Sequence, residues 1–317
     1  CPLPMTAALS ILLPIFALIL AGFVCRRAGV LGPTAASELN RFVVWLGLPA
    51  LLFGIVARSS WSQLYQPDVI APFGLATGAV FAAVYWLRRR SGRAVADAGV
   101  EAVAASYSNA GFIGFPLAYL VFGPDSQASV TLATMLVVCV LFAIAVIIVR
   151  TGLQGGRLGA ETIAAVLGSL ARNPLIVAPL AGVVVAALGL AIPAPVDTWL
   201  KLLGGAASPV ALVSLGLFLA EKRDSSASRH VPLMLTGIKL VALPLATWVL
   251  AVGVFHVPRA TAQLVVLLSA LPTGTGPYML AEFYRREAVV TSQTILWSTV
   301  LSLVTLSLLL AAFPAMV

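Results

Sequence analysis

The chain has 317 residues, 61% of them hydrophobic and 9% charged, with a mean hydropathy of +1.05, a net charge of +8 and a pI near 9.9. Soluble domains carry about 25% charged residues, so this composition excludes a water-soluble globular protein and calls for a lipid bilayer as solvent. The basic residues lie in short clusters between apolar stretches, which argues against nucleic acid as a partner, and Cys1, Cys25 and Cys139 form no disulfide or metal pattern.

A membrane-spanning helix needs about 20 mostly apolar residues. Apolar windows bounded by charges and turn residues give ten spans, at 6–25, 36–56, 69–87, 101–122, 127–149, 172–190, 197–219, 231–255, 261–283 and 289–313. The first run has neither a charged segment before it nor a small-residue cleavage site after it, so it reads as a retained span and not a signal peptide; Cys1 to Pro4 are left aside. Residues 157–171 read as a short surface helix leading into the sixth span. The runs are too long and unalternating for β-barrel strands.

Lys and Arg are retained on the cytoplasmic side of a membrane. Connections after odd-numbered spans hold fourteen of them: Arg26, Arg27, Arg88, Arg89, Arg90, Arg93, Arg150, Arg157, Arg172, Lys222, Arg223, Arg229, Arg285 and Arg286. Connections after even-numbered spans hold three, Arg58, Lys201 and Arg259. The asymmetry predicts both termini outside the cytoplasm, in a plasma (inner) membrane.

Proline inside a membrane helix frees backbone groups that only protein or cavity water can satisfy. At a shift of 160 residues four prolines coincide with four others: Pro14 with Pro174, Pro33 with Pro193, Pro49 with Pro209, and Pro72 with Pro232. A fifth pair, Pro116 and Pro277, is offset by 161, where independent placement gives fewer than one coincidence per shift. The spacing predicts two five-span repeats, 1–155 and 156–317. Five is odd, so the second is inverted, the arrangement secondary transporters use to build a site at the repeat interface.

Spans four (SYSNAGFIGFPLAYLVFG) and nine (LSALPTGTGPYMLAEFY) each carry Gly, small polar residues and Pro near their middles, which suits a broken helix. Proline favours a first helical position, so Pro116 and Pro277 are expected to restart the second half of each span. Two restarted halves running from opposite sides would aim their N-termini at one point, favouring an anion. The candidate binding residues are Ser108, Asn109, Gly111, Gly114, Pro116, Thr273, Gly274, Thr275, Gly276 and Pro277. Lys239 joins them as an ammonium near the middle of span eight, a costly place unless it serves an anion, a proton or the carbonyls of a broken helix, or snorkels to the interface. Glu38 and Arg41 read as a helix-surface pair, and Glu282 as interfacial. The only histidines, His230 and His256, sit at span ends, and no G-x-S-x-G or G-x-x-x-x-G-K-[ST] motif occurs. The sequence therefore points to a carrier without cofactor or metal and not to an enzyme.

The stretches LNRFVVWLGLPALLF (39–53), SNAGFIGFPL (108–117), RNPLIVAPLAG (172–182), ASPVALVSLGLFLA (207–220), IKLVALP (238–244) and LPTGTGPYMLAEFY with TSQTILWSTVLSLVTL (271–306) resemble the auxin efflux carrier family, specifically its short bacterial members. The resemblance implies an all-α, ten-helix inverted repeat shared with bile-acid and sodium/proton carriers. Spans 1, 2, 6 and 7 would form a scaffold and often a homodimer contact; spans 3–5 and 8–10 would form a moving, elevator-like transport unit, with spans 4 and 9 crossing at Pro116 and Pro277. It also implies small organic anions as substrates, indole-3-acetate in plants and malonate or malate in bacteria. Only residues 150–171 join the halves, so the long central loop of many plant members is absent. No membrane-depth Asp or Glu is found, which disfavours a carboxylate-driven antiporter. A coupling ion, proton or sodium, stays open beside membrane potential, as do a sodium-coupled bile-acid-type symporter and a channel or non-transporting sensor. The orientation is testable directly: a reporter fused after Val317 is expected to be active as a periplasmic enzyme and dark as a cytoplasmic fluorophore, and the opposite pattern would reverse every span.

Overall fold

The computed structural model describes residues 5–155, 159–221 and 229–313. Arg157, Lys222 and Arg223, the repeat boundary at 156, residues 1–4 and the C-terminal Val317 lie outside the described residues. Within them the chain is all-helical apart from one isolated antiparallel bridge. A bilayer offers backbone groups no water, so apolar runs satisfy their own N–H and C=O groups as helices.

Thirteen helices follow in chain order among the described residues: α1 (Met5–Arg27), α2 (Ala35–Arg58), α3 (Trp61–Arg90), α4 (Val95–Ser106), α5 (Ala110–Phe122), α6 (Pro124–Leu153), α7 (Ala160–Ala171), α8 (Pro174–Ala187), α9 (Ala194–Leu219), α10 (His230–Val254), α11 (Arg259–Ala270), α12 (Gly276–Phe283) and α13 (Ala288–Ala312). Seven of them, α1, α2, α3, α6, α9, α10 and α13, are long and apolar enough to cross a membrane. The pair α7 and α8 qualifies together but bends by 61°. At that bend Asn173 caps α8, its side chain accepting from the Leu175 N–H at 3.0 Å, and Pro174 occupies the first helical position. Segments 101–122 and 261–283 are each two short helices, α4 with α5 and α11 with α12.

Proline also explains three of the five places where helices widen among the described residues. Turns with i→i+5 spacing at Val43–Gly47, Ala110–Gly114 and Ile238–Ala242 each end two residues before a proline, Pro49, Pro116 and Pro244. A proline ring crowds the carbonyl four residues back and offers it no donor; a wider turn relieves both problems.

Helices α1, α2, α8 and α9 pack on one another. Their contacts are nearly bare backbone: a Cβ on Gly22 would lie 2.1 Å from the Val213 carbonyl oxygen, and one on Gly216 1.9 Å from that of Ile19. Small residues let membrane helices approach this closely and gain dispersion along their length. The other helices form a second packed group, in which α3 contacts α4, α10 and α11 while α13 contacts α10 and α11.

Ion pairs tie one end of this second group. Glu101, only 2% exposed, accepts from Arg88 and Arg93; Arg93 also reaches Glu287 at 2.7 Å, and Arg286 grips Asp97 through two bonds of 2.8 and 2.7 Å. The hydrogen bond to Glu287 holds the Arg93 guanidinium above its ordinary range, and Asp97 does the same for Arg286. Glu101 is the buried acid that the sequence reading did not find. It begins the apolar window 101–122 and looks like a span boundary, but two arginines make its burial affordable. A separate cluster joins Asp197 to both Lys201 and Arg58.

The glycine crossing sets a prediction. Gly216→Leu forces α1 from α9 and is expected to lower stability by about 2 kcal/mol or more. Gly205→Leu, where a Cβ meets nothing within 4 Å, is expected to be neutral; melting of both variants in detergent checks the pair.

Candidate functional site

The two broken segments meet. α4 leaves helical geometry at Tyr107 (φ −81°, ψ 94°), and α11 does so at Leu271 (φ −57°, ψ 150°). The released strands pair antiparallel at Ser108 and Thr273: the Asn109 N–H donates to the Pro272 carbonyl at 2.9 Å, and the Gly274 N–H to the Tyr107 carbonyl at 3.1 Å. Side chains satisfy much of what the breaks set free. The Thr273 hydroxyl donates to the Ala104 carbonyl at 2.9 Å, and the Thr273 N–H donates to the Ser298 hydroxyl at 3.1 Å. Lys239 is fully buried, and its Nζ donates to the Ser269 and Leu271 carbonyls, both at 2.6 Å.

The prolines are not placed alike. Pro277 is the second residue of α12, whereas Pro116 lies six residues past the start of α5. The sequence reading expected both at helix starts; Pro116 does open the α-helical stretch Phe115–Phe122, but a wide turn precedes it. The difference arises because the Asn109 carbonyl accepts from both Ile113 (3.1 Å) and Gly114 (3.2 Å), which opens α5 with the wide turn that Pro116 needs.

Beside the crossing lies a cavity of about 160 Å³, walled by the starts of α5 and α12 and by side chains of α2, α6 and the α7–α8 bend. No Asp, Glu, Lys or Arg of the described residues lines it. Asn109 is 4% exposed and Thr134 2%, and the Asn109 amide nitrogen and the Thr134 hydroxyl have no hydrogen-bond partner among the described residues. Each such unpaired buried group costs about 1–3 kcal/mol, a cost that an acceptor-rich ligand would remove. The first N–H groups of α5 and α12 have no acceptor inside their own helices, and each helix start carries about half a positive charge. Two wider recesses adjoin the cavity. One of about 660 Å³ shares Val44 and Asn173 with it and carries Arg172; another of about 390 Å³ shares Asn40, Thr275 and Met279 and carries both Arg41 and Glu221.

Of the residues singled out in the sequence, Ser108, Asn109, Gly111, Thr275 and Gly276 line this cavity. Thr273 and Gly274 belong to the paired strands behind it. Gly114, Pro116 and Pro277 sit within α5 and α12 and are not on its wall. Lys239 is also off the wall, bound to carbonyls at the end of α11. Four polar wall residues were not anticipated: Asn40, Tyr107, Thr134 and Asn173. Asn40 and Asn173 do fall in the stretches 39–53 and 172–182 that carry the family resemblance, whereas Thr134 is a single hydroxyl in an apolar run and gives no signal.

A profile described as "Membrane transport protein" matches residues 7–161 and 160–310, nearly the whole chain. The chain belongs to this family of membrane transport proteins, the auxin efflux carriers. It is 30% identical over 306 residues to a Rhizobium meliloti protein named "Putative malonate transporter", covering 95% of this chain and 94% of that one. A Methanothermobacter thermautotrophicus protein named "Uncharacterized transporter" is 28% identical, with 93% and 95% covered. The "Uncharacterized transporter YfdV" of Escherichia coli K12 is 27% identical, with 85% and 86% covered. This auxin efflux carrier family member is therefore a multi-pass membrane transport protein.

Two glycines of the site differ in what surrounds them. A Cβ at Gly111 would sit 3.6 Å from Leu48 and Thr134, an ordinary contact, whereas at Gly276 it would lie 2.7 Å from the Tyr107 ring. Gly111→Ala is expected to weaken ligand binding with little change in melting temperature. Gly276→Ala is expected to lower both, because the Tyr107 ring must move; parallel binding and melting measurements separate the two.

Proposed function

We propose that this chain is a secondary transporter of small organic anions, mono- or dicarboxylates of about malonate size, which binds its substrate between the starts of α5 and α12 and carries it by alternating access. The observation that carries this reading is an uncharged cavity at two helix N-termini, with two unpartnered donors, Asn109 Nδ2 and Thr134 Oγ1, buried in its wall. The malonate-sized class is favoured by the name of the Rhizobium meliloti relative.

The rest of the reading is architectural. Counting α4 with α5 and α11 with α12 as broken spans, and the α8 segment as one more, gives ten, in two inverted repeats covering 1–155 and 156–317. Helices α1, α2, α8 and α9 act as scaffold, and a homodimer forms through them. The remaining core helices move as an elevator, carrying the crossing between the two faces of a plasma membrane with both termini outside. In this orientation Arg172 lies at the cytoplasmic mouth of the larger adjoining recess and draws anions toward the uncharged cavity.

Flux of radiolabelled mono- and dicarboxylates in proteoliposomes, with counterflow, tests the reading. Malonate-sized dicarboxylates are expected to be carried and larger aromatic acids excluded. Asn109→Ala removes a donor and is expected to weaken binding by about 1 kcal/mol, roughly fivefold. Arg172→Gln is expected to raise KM at low ionic strength and to match the wild type at high salt. A panel in which no carboxylate is carried, or binding untouched by Asn109→Ala and Thr134→Val together, would overturn it.

A further inference from the structure

Secondary transporters hold coupling cations on the carbonyls of unwound backbone and at the C-terminal ends of half-helices. α11 ends in such a place: inside the crossing, at Ala270, with its last carbonyls unable to find an N–H further along the helix. Lys239 reaches across from α10 and donates to two of the oxygens there, those of Ser269 and Leu271. Both distances are 2.6 Å, and the side chain is completely buried. Its two recorded partners are carbonyls and not a carboxylate, so the compensating charge is the negative end of the α11 dipole, about half an elementary charge. The other half-helix, α4, ends differently. Its carbonyls at Ala104 and Tyr107 are taken by the neutral Thr273 hydroxyl and the Gly274 N–H. At the 160-residue spacing, the position matching Lys239 is Ala79. The cationic group serves one half-helix end only.

We propose that Lys239 is a tethered substitute for a coupling cation: its ammonium fills the cation position at the end of α11, so the protein works without sodium. A cation bound by covalent attachment travels with the crossing in both directions and adds no net charge to a cycle. The anion alone then carries charge across, and membrane potential acts on it directly. The flux arm of this inference rests on the transporter reading above; the stability arm does not.

The test uses the purified full chain in detergent and in proteoliposomes. Melting of the wild type is expected to be the same in sodium chloride and choline chloride at equal ionic strength. Lys239→Ala leaves the two carbonyls unpaired and opens space beside them. It is expected to melt lower than wild type and to regain several degrees with methylammonium or sodium but not with choline. Lys239→Met, which fills the space without charge, is expected to show no such response; a merely space-filling role predicts instead that Met restores stability. In proteoliposomes, wild-type malonate uptake is expected to be equal with and without sodium. Lys239→Ala is expected to lose most uptake and to recover several-fold with methylammonium. Sodium that raises wild-type melting or uptake would overturn the proposal, as would a Lys239→Ala variant that responds to choline as it does to methylammonium. If Lys239→Ala does not fold, the wild-type sodium comparison decides alone. Malonate uptake that is absent while the melting responses hold would remove the transporter reading and leave Lys239 as the cation substitute.

Discussion

The pairing of two short non-helical segments, residues 107–109 against 272–274, is the contact on which the rest of the structure depends. Non-helical backbone at membrane depth survives only where protein or trapped water satisfies it. Here each break supplies partners for the other. Asn109 and Gly274 exchange main-chain bonds with Pro272 and Tyr107, Thr273 serves Ala104, and Lys239 serves the end of α11. The same breaks leave two helix starts beside one cavity. On the proposed reading, the segments that satisfy each other's backbone are also the ones that begin the two substrate-binding helices.

Two kinds of adhesion hold the packed groups on either side. Between α1 and α9 it is close backbone approach at Gly22 and Gly216, which is insensitive to charge and salt. Around α3, α4 and the segment before α13 it is a network of arginines and acids centred on Glu101. A carboxylate 2% exposed with two guanidinium partners is stable as a set and costly when one member is removed. The cavity lies where the two groups face each other, lined by α2 and α8 on one side and by the crossing on the other.

Much of this was legible in the sequence, and the physical reasons are specific. Apolar runs of about 20 residues have one stable form in a bilayer, so the long helices could be read almost to their ends. The family followed from motifs spread over most of the chain. Helix breaks were visible because Gly and Pro concentrate there. What stayed hidden was relational. Asn40 and Asn173 look like residues near helix starts, which they are, and nothing local shows that they face a cavity. Thr134 looks like helix filler. Lys239 was visible as an anomaly, but its partners, main-chain carbonyls more than 29 residues away, leave no trace in side-chain identity. The buried Glu101 was hidden by its neighbours, since basic residues nearby suggest water as readily as ion pairs.

The widened turn in α2 has a consequence for how this protein can change length. An α-helix advances about 100° per residue, and Val43–Gly47 holds one residue more than a regular turn between Phe42 and Pro49. Downstream, Leu52 and Val56 are 0% and 2% exposed on the face turned inward. Losing one residue from that turn would leave the helix almost as long but rotate everything beyond it by about a quarter of a circle, swinging Leu52 and Val56 toward lipid and other side chains toward the packed interior. For this helix a one-residue deletion is a rotation, and the proline that makes the turn necessary also fixes the phase in which its two halves are read.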